Sequence, residues 1–434
     1  MGHTLSDNAK QSPEIPSELR STAGGGAMAA AGAAGAVDQG RFAINWIVGR
    51  YTDLFCFIGA AALGYAMFFL HAGLAMNMVT VWFFWYMVLD SPHFFGTYAR
   101  TYLDKEEWRD RRRLLIGSIG LLAIGPVVVL IGYALHAAGV SWYKTPYLAL
   151  VAFVSIWAYW HVVRQHYGIM SLYKRKNRDS DPFDISLDQW VLYLGLLAPF
   201  VGFAVSNNEA RIALGLSEPI EGSKVITNPY VRAAGWESVV LQLSMVAAFG
   251  SLLILLARQL VRWQRGLTLN VPKILFLLAV IPLHMVVCYH PASTTLALLG
   301  FSACVTIFHD MQYHAIVWYH QKNRMAKAGE ARFEKYGMAA RISRSFPVYM
   351  GCAIAMGITF GLIGCVIDVN PGCFPDWVPL IAARSTNLFG QMTINELFYG
   401  VFLGVLMHHY YVDQFIWRPS KDKNLQKDLK LSTR

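Results

Sequence analysis

Apolar runs of about 20 residues recur along this chain, and no other feature restricts its fold as tightly. At 1.5 Å per residue, such a run matches about 30 Å of hydrocarbon. The runs lie near 53–72, 76–98, 114–138, 146–172, 187–206, 236–261, 273–291, 295–319, 346–367 and 395–417. They predict an all-α, polytopic integral membrane bundle of ten transmembrane helices. Composition agrees: 55% of the 434 residues are hydrophobic and 15% charged, against about 25% charged in soluble domains. Residues 1–40 are rich in Gly, Ala, Ser and Pro and read as a disordered tail. Residues 41–417 form the transmembrane domain, and 418–434 a basic tail.

Basic residues set the expected orientation. Tail 1–50 and segments 100–113, 174–178, 258–273, 322–344 and 418–434 hold 31 of the 37 Lys and Arg residues. The opposite loops hold Lys144, Arg211, Lys224, Arg232 and Arg384, while Arg164 falls within a span. Both termini are therefore expected in the cytoplasm, with the chain multi-pass in a bacterial inner membrane. The net charge of +10 then reflects loops facing anionic lipid and requires no nucleic-acid partner. An interfacial helix is expected around Met325–Arg344.

Chemistry enters with the histidines. Eight of the thirteen, His93, His161, His166, His309, His314, His320, His408 and His409, fall in the inner halves of spans two, four, eight and ten, with Asp90, Asp310 and Asp413. Ionisable groups inside a membrane are costly and mark functional sites. His93, His166, His314 and His409 precede the first following basic residue (Arg100, Lys174, Lys322, Arg418) by seven to nine residues, which predicts matched depth. His161 and His309 form a deeper layer, 13 residues before Lys174 and Lys322. Asp90 with His93, Asp310 with His314, and His409 with Asp413 are three or four apart and share a helical face. The five-residue steps from His161 to His166 and His309 to His314 need a π-bulge to reach one centre, or else separate partners. The expected metal ligands are His93, His161, His166, His309, His314, His408, His409, Asp90, Asp310 and Asp413. His320 is read as interfacial, and His71, His136, His284 and His290 as structural. Tyr98, Tyr167, Tyr313, Tyr410 and Tyr411 read as interfacial belt residues. Arg164 is expected to pair with Asp90 or Asp310; its alternative role is binding the anionic head of a substrate.

Two H-x-x-x-x-H steps and the adjacent pair His408–His409 resemble the membrane-bound non-haem di-iron desaturases and hydroxylases. The resemblance implies two irons per chain that activate oxygen against a hydrophobic substrate. The chain departs from that pattern at Gly404 and Val405, where a histidine usually precedes the HH pair. With no dinucleotide fingerprint, such an oxygenase would need an external electron donor of ferredoxin or cytochrome type. The alternatives are a haem-binding redox or assembly protein and a metal- or proton-coupled transporter. The six cysteines contain no C-x-x-C; Cys365 and Cys373 flank one outer loop, where a disulfide is permitted.

Overall fold

The computed structural model describes residues 40–214, 216, 235–366 and 387–431. A bridge between Cys365 and Cys373, and tail residues 1–39, lie outside the described residues. The fold is all-helical apart from two short ribbons, a parallel pair Phe42–Ala43 with Leu269–Asn270 and an antiparallel pair Asn387–Phe389 with Met392–Thr393. Each predicted span coincides with one long helix: α1 (Arg50–Ala72), α2 (78–100), α3 (Lys105–Ala137), α4 (Thr145–Lys176), α5 (Pro182–Ser206), α6 (Trp236–Gln264), α7 (Val271–Tyr289), α8 (Leu298–Ala328), α9 (Phe346–Val366) and α10 (Ile394–Ile416). Seven are long and apolar enough to cross a membrane. The other three, α2, α8 and α10, carry most of the buried histidines among the described residues, which lower their hydropathy.

The helix starts arise from local chemistry. Asp104, Asp181 and Asn270 accept hydrogen bonds from the first free N–H groups of α3, α5 and α7. Thr393 and Glu396 form a reciprocal capping box on α10. The bundle is apolar on its outside. Along α6, Val239, Leu243, Val246 and Leu253 are exposed, while Ser244, Ala248, Ser251 and Gln259 on the other face are buried. Small residues let helices approach closely. A Cβ on Gly125 of α3 would lie 2.0 Å from the Gly400 carbonyl oxygen of α10, and one on Gly404 would lie 2.8 Å from Leu122 Cα.

Three expectations are corrected by the fold. Met325–Arg344 is not one interfacial helix, because α8 runs on to Ala328 before two short helices, Arg332–Tyr336 and Met338–Ile342. These dock on the start of α3: Ala339 N donates to Leu103 O at 2.9 Å, and Arg324 binds Asp104, Glu106 and Glu107. Residues after 418 do not trail away either. A helix at Lys423–Asp428 packs with Leu425 and Leu429 buried, and Asp428 bonds Lys327 at 2.6 Å. Finally, Lys174, Arg262 and Lys273, read as loop charges, are buried members of ion pairs near helix ends. All three are buried within helices and share Asp179, Asp184 and Asp188 as counter-charges, with Lys273 at 2.8 Å from both Asp179 and Asp188.

Candidate metal centre

Helices α2, α4, α8 and α10 meet in the middle of the bundle, and each sends one imidazole to the junction. His93, His309, His161 and His409 close a ring, with centroid separations of 5.2 Å (His93–His309), 5.1 Å (His309–His161), 5.0 Å (His161–His409) and 4.8 Å (His409–His93). Each of the four is at most 7% exposed. A π-helical stretch, Tyr86–Asp90, lies just ahead of His93 in α2. The extra residue per turn rotates the remainder of the helix about its axis, and such bulges concentrate at functional sites. The expected loosening therefore occurs in α2, while α4 and α8 stay α-helical throughout.

The carboxylates join from three sides. Asp310 Oδ1 lies 3.1 Å and Asp90 Oδ1 3.7 Å from His93 Nδ1, and Asp413 Oδ2 lies 3.9 Å from His409 Nε2. Trp85 Nε1 donates to the other Asp310 oxygen at 3.0 Å. Thr97, one turn beyond His93, contacts His409 Nδ1 at 2.8 Å, Asp413 Oδ1 at 2.8 Å and Tyr313 OH at 2.6 Å. Tyr313 also donates to Asp413 at 2.9 Å.

Counting protons through this network exposes a gap. Thr97 has one proton, and it goes to the Asp413 carboxylate. His409 must then donate from Nδ1 to Thr97, which leaves the lone pair on its Nε2. His93 Nε2, 3.1 Å away, must donate to that lone pair. The lone pair of His93 therefore sits on Nδ1, facing the oxygens of Asp310 and Asp90. Acceptor faces acceptor, and neither His93 Nδ1 nor Asp310 Oδ1 has a hydrogen-bond donor. A cation between them, or a proton on one of the carboxyl oxygens, would resolve this contact. His161 Nε2 and His309 Nδ1 are likewise buried without partners. Three sets of donors lie close enough to hold a metal ion, each within 4.8 Å: His93, His309 and His409; His161, His409 and Asp413; Asp90, His93 and Asp310.

The remaining expected ligands go elsewhere. Residues five apart diverge by about 140° on an α-helix, so His166 and His314 leave the faces occupied by His161 and His309. His166 contacts Gln312 at 3.1 Å, and His314 contacts Tyr349 at 3.2 Å. Asp310 consequently meets His93 and Trp85 in place of His314. His408 turns away from His409 toward Tyr102 OH at 2.7 Å. Depth matching groups His93 and His409 with the wrong partners, because Lys174 is a buried ion-pair member and α8 continues past Lys322. Arg164 is also corrected: it is exposed, bonds Tyr193 and lies 5.0 Å from the Tyr167 ring, with neither Asp90 nor Asp310 as partner. His320 is buried and lies 3.5 Å from Asp428.

Several contributors were not expected. Tyr313 is 1% exposed, so it is no belt residue. Tyr410 stacks on His161 at 4.6 Å. His284, read as an outer structural residue, is fully buried beside His166 with a centroid separation of 5.9 Å. Thr97 could have been found from its four-residue step beyond His93. No protein-family model matches the chain, and no curated protein or solved structure matches it.

Proposed function

We propose that this protein is a membrane-embedded, metal-dependent oxidoreductase whose cluster holds two irons and acts with oxygen on a lipid or other hydrophobic substrate, as a hydroxylase or desaturase. The observation that carries the reading is the unmet acceptor pair at His93 Nδ1 and Asp310 Oδ1 within a ring of four buried imidazoles. Two donor sets, His161/His409/Asp413 and Asp90/His93/Asp310, share no residue, so two ions can be accommodated once the His93–His409 contact opens and frees the His409 Nε2 lone pair. Imidazole and carboxylate donors without thiolate suit iron, although zinc and manganese share that preference. Haem is disfavoured because the four rings contact one another edge-to-face or tilted, leaving no slot for a porphyrin.

A bound redox metal would supply one-electron and oxygen chemistry; the residues around it hold and shield it. Trp85 fixes Asp310, and Thr97 fixes both the tautomer of His409 and the position of Asp413. Tyr313 OH and Thr97 Oγ1 both donate hydrogen bonds to Asp413 Oδ1 and hold that carboxyl group in place. Phe94, Phe308 and Met407 are buried nearby and exclude water. Asp90 is the cluster's most open carboxylate, its side chain 16% exposed. In this reading all ten helices cross a bacterial inner membrane, both termini are cytoplasmic, and an external ferredoxin- or cytochrome-type donor delivers electrons to the basic face.

Metal analysis of the purified chain tests the proposal. About two irons per chain and no Soret band are expected. His93→Ala and His409→Ala should each remove metal, whereas His314→Ala and His408→Ala should retain it at equal expression. Metal loss that is equally severe in all four variants would show that the histidines serve folding alone. A strong Soret band would favour haem.

A further inference from the structure

A cavity of about 400 Å³ opens at the end of the bundle where α2, α3, α8 and the Lys423–Asp428 helix meet. Five carboxylates line it, and every one is already paired. Glu106 and Glu107 bind Arg324, Glu106 also Lys335 and Glu107 also Arg111; Asp422 binds Arg111, Asp428 binds Lys327, and Asp110 binds Arg109. One cation on the wall has no ion pair of its own, and the Glu107 charge nearest to it is shared with Arg111 and Arg324. Arg100 is 0% exposed, and among the described residues no carboxylate lies within ion-pair distance of it. Its Nη2 donates to Ile416 O at 2.6 Å and its guanidinium lies 3.7 Å over the Trp417 ring. Its Nε and Nη1 have no partner, and neither does Nδ1 of His320, which lines the same cavity. Burying a guanidinium whose nearest counter-charge is shared with two other arginines, and whose N–H groups are unmet, is unfavourable.

We propose that Arg100 and His320 form a binding site for a small oxyanion, a phosphate or carboxylate group, within this cavity. The guanidinium edge offers parallel N–H donors that match two oxygens of such a group, and His320, whose Nε2 faces Asp428, supplies a further donor from Nδ1 as the imidazolium. Lys327 and Lys335 on the rim, each about half exposed, draw an anion toward the opening. The site is one aromatic ring away from the histidine cluster: Trp417 Nε1 donates to Tyr313 OH at 3.4 Å, and Tyr313 bonds Asp413. An occupied site therefore holds Trp417, and through it Tyr313, in place. The anion could be free in solution or the headgroup of an anionic lipid, since both present the same oxygens.

The test uses the full chain in an uncharged detergent and tracks its thermal unfolding midpoint. Inorganic phosphate and acetate are titrated separately at constant ionic strength set with chloride. A saturable rise is expected with at least one of them. Its apparent Kd should weaken about tenfold in Arg100→Lys, which keeps the charge but loses the fork, and several-fold in His320→Gln. Lys335→Gln, on the rim, should stay within about twofold, because an exposed cation contributes little. If Arg100→Lys does not fold, His320→Gln against Lys335→Gln decides. A parallel arm compares nanodiscs of phosphatidylglycerol and phosphatidylcholine. Stabilisation by the anionic lipid that is lost in His320→Gln, without a response to free anions, assigns the site to a headgroup. No response in any arm, or weakening in Lys335→Gln equal to that in His320→Gln, overturns the proposal. The readout is independent of metal content, so its outcome is separate from that of the metal centre.

Discussion

The hydroxyl of Thr97 touches three polar groups and has one proton to give, so it sets the tautomer of His409 and, through it, that of His93. Thr97→Val keeps the shape and removes this control. Metal affinity should fall about 10–100-fold, measured by chelator competition, and leaving Asp413 and His409 short of a partner should cost about 1–3 kcal/mol of stability. Thr97→Ser should stay near the parent. Unchanged affinity in Thr97→Val would contradict the proton assignment. At this scale the sequence is legible where cost singles a residue out. His93, His161, His309, His409 and the three aspartates stand out because ionisable groups are rare in apolar runs. Thr97 and Tyr313 do not, since a threonine is ordinary in a helix and a tyrosine near a span end also fits the interfacial belt. Arg164 misleads for a related reason: its long side chain reaches outward to Tyr193 and Tyr167, so a mid-span position does not require an inward partner.

Among the elements, α10 shows how backbone approach positions ligands. Gly400 and Gly404 form a G-x-x-x-G face laid against Gly125, Leu121 and Leu122 of α3. His409 comes five residues after Gly404, so its reach into the cluster depends on this contact. Gly125→Ala should lower the thermal midpoint by the equivalent of about 1–3 kcal/mol of overpacking and reduce metal content as α10 shifts. Gly117→Ala, where a Cβ meets nothing within 4 Å, should be neutral or slightly stabilising. Equal effects of the two would remove the close-packing argument. The same contact explains the departure from the desaturase pattern, because Gly404 has no room for an imidazole. Helix positions are readable from hydrophobic length, and the ten runs each coincide with a helix. Their ends are less so: basic residues suggest boundaries, yet Lys174, Arg262 and Lys273 are neutralised inside the bundle by aspartates that only the tertiary fold brings near.

For the molecule as a whole, the proposed topology puts the α3–α4 turn and the C-terminus on opposite sides of the membrane. In a cysteine-free background, Ala138→Cys should react with an impermeant thiol reagent from the side opposite to a C-terminal tag. Labelling of both from one side of sealed vesicles would overturn the orientation. The closing contact of the metal centre, His93 to His409, joins residues 316 apart in sequence. In the proposed topology α2, α4 and α8 are made before α10, and the donor sets that include His409 are complete only once α10 has docked on α3. In the proposed reading an ion in the His161/His409/Asp413 set is held only after that event, whereas Asp90, His93 and Asp310 on α2 and α8 can hold one before it. A cell short of the metal would accumulate chains held at this stage, whose weakest seam is the docking of α10. Apo protein should therefore be lost first by proteolysis near residues 387–400, ahead of the rest of the bundle.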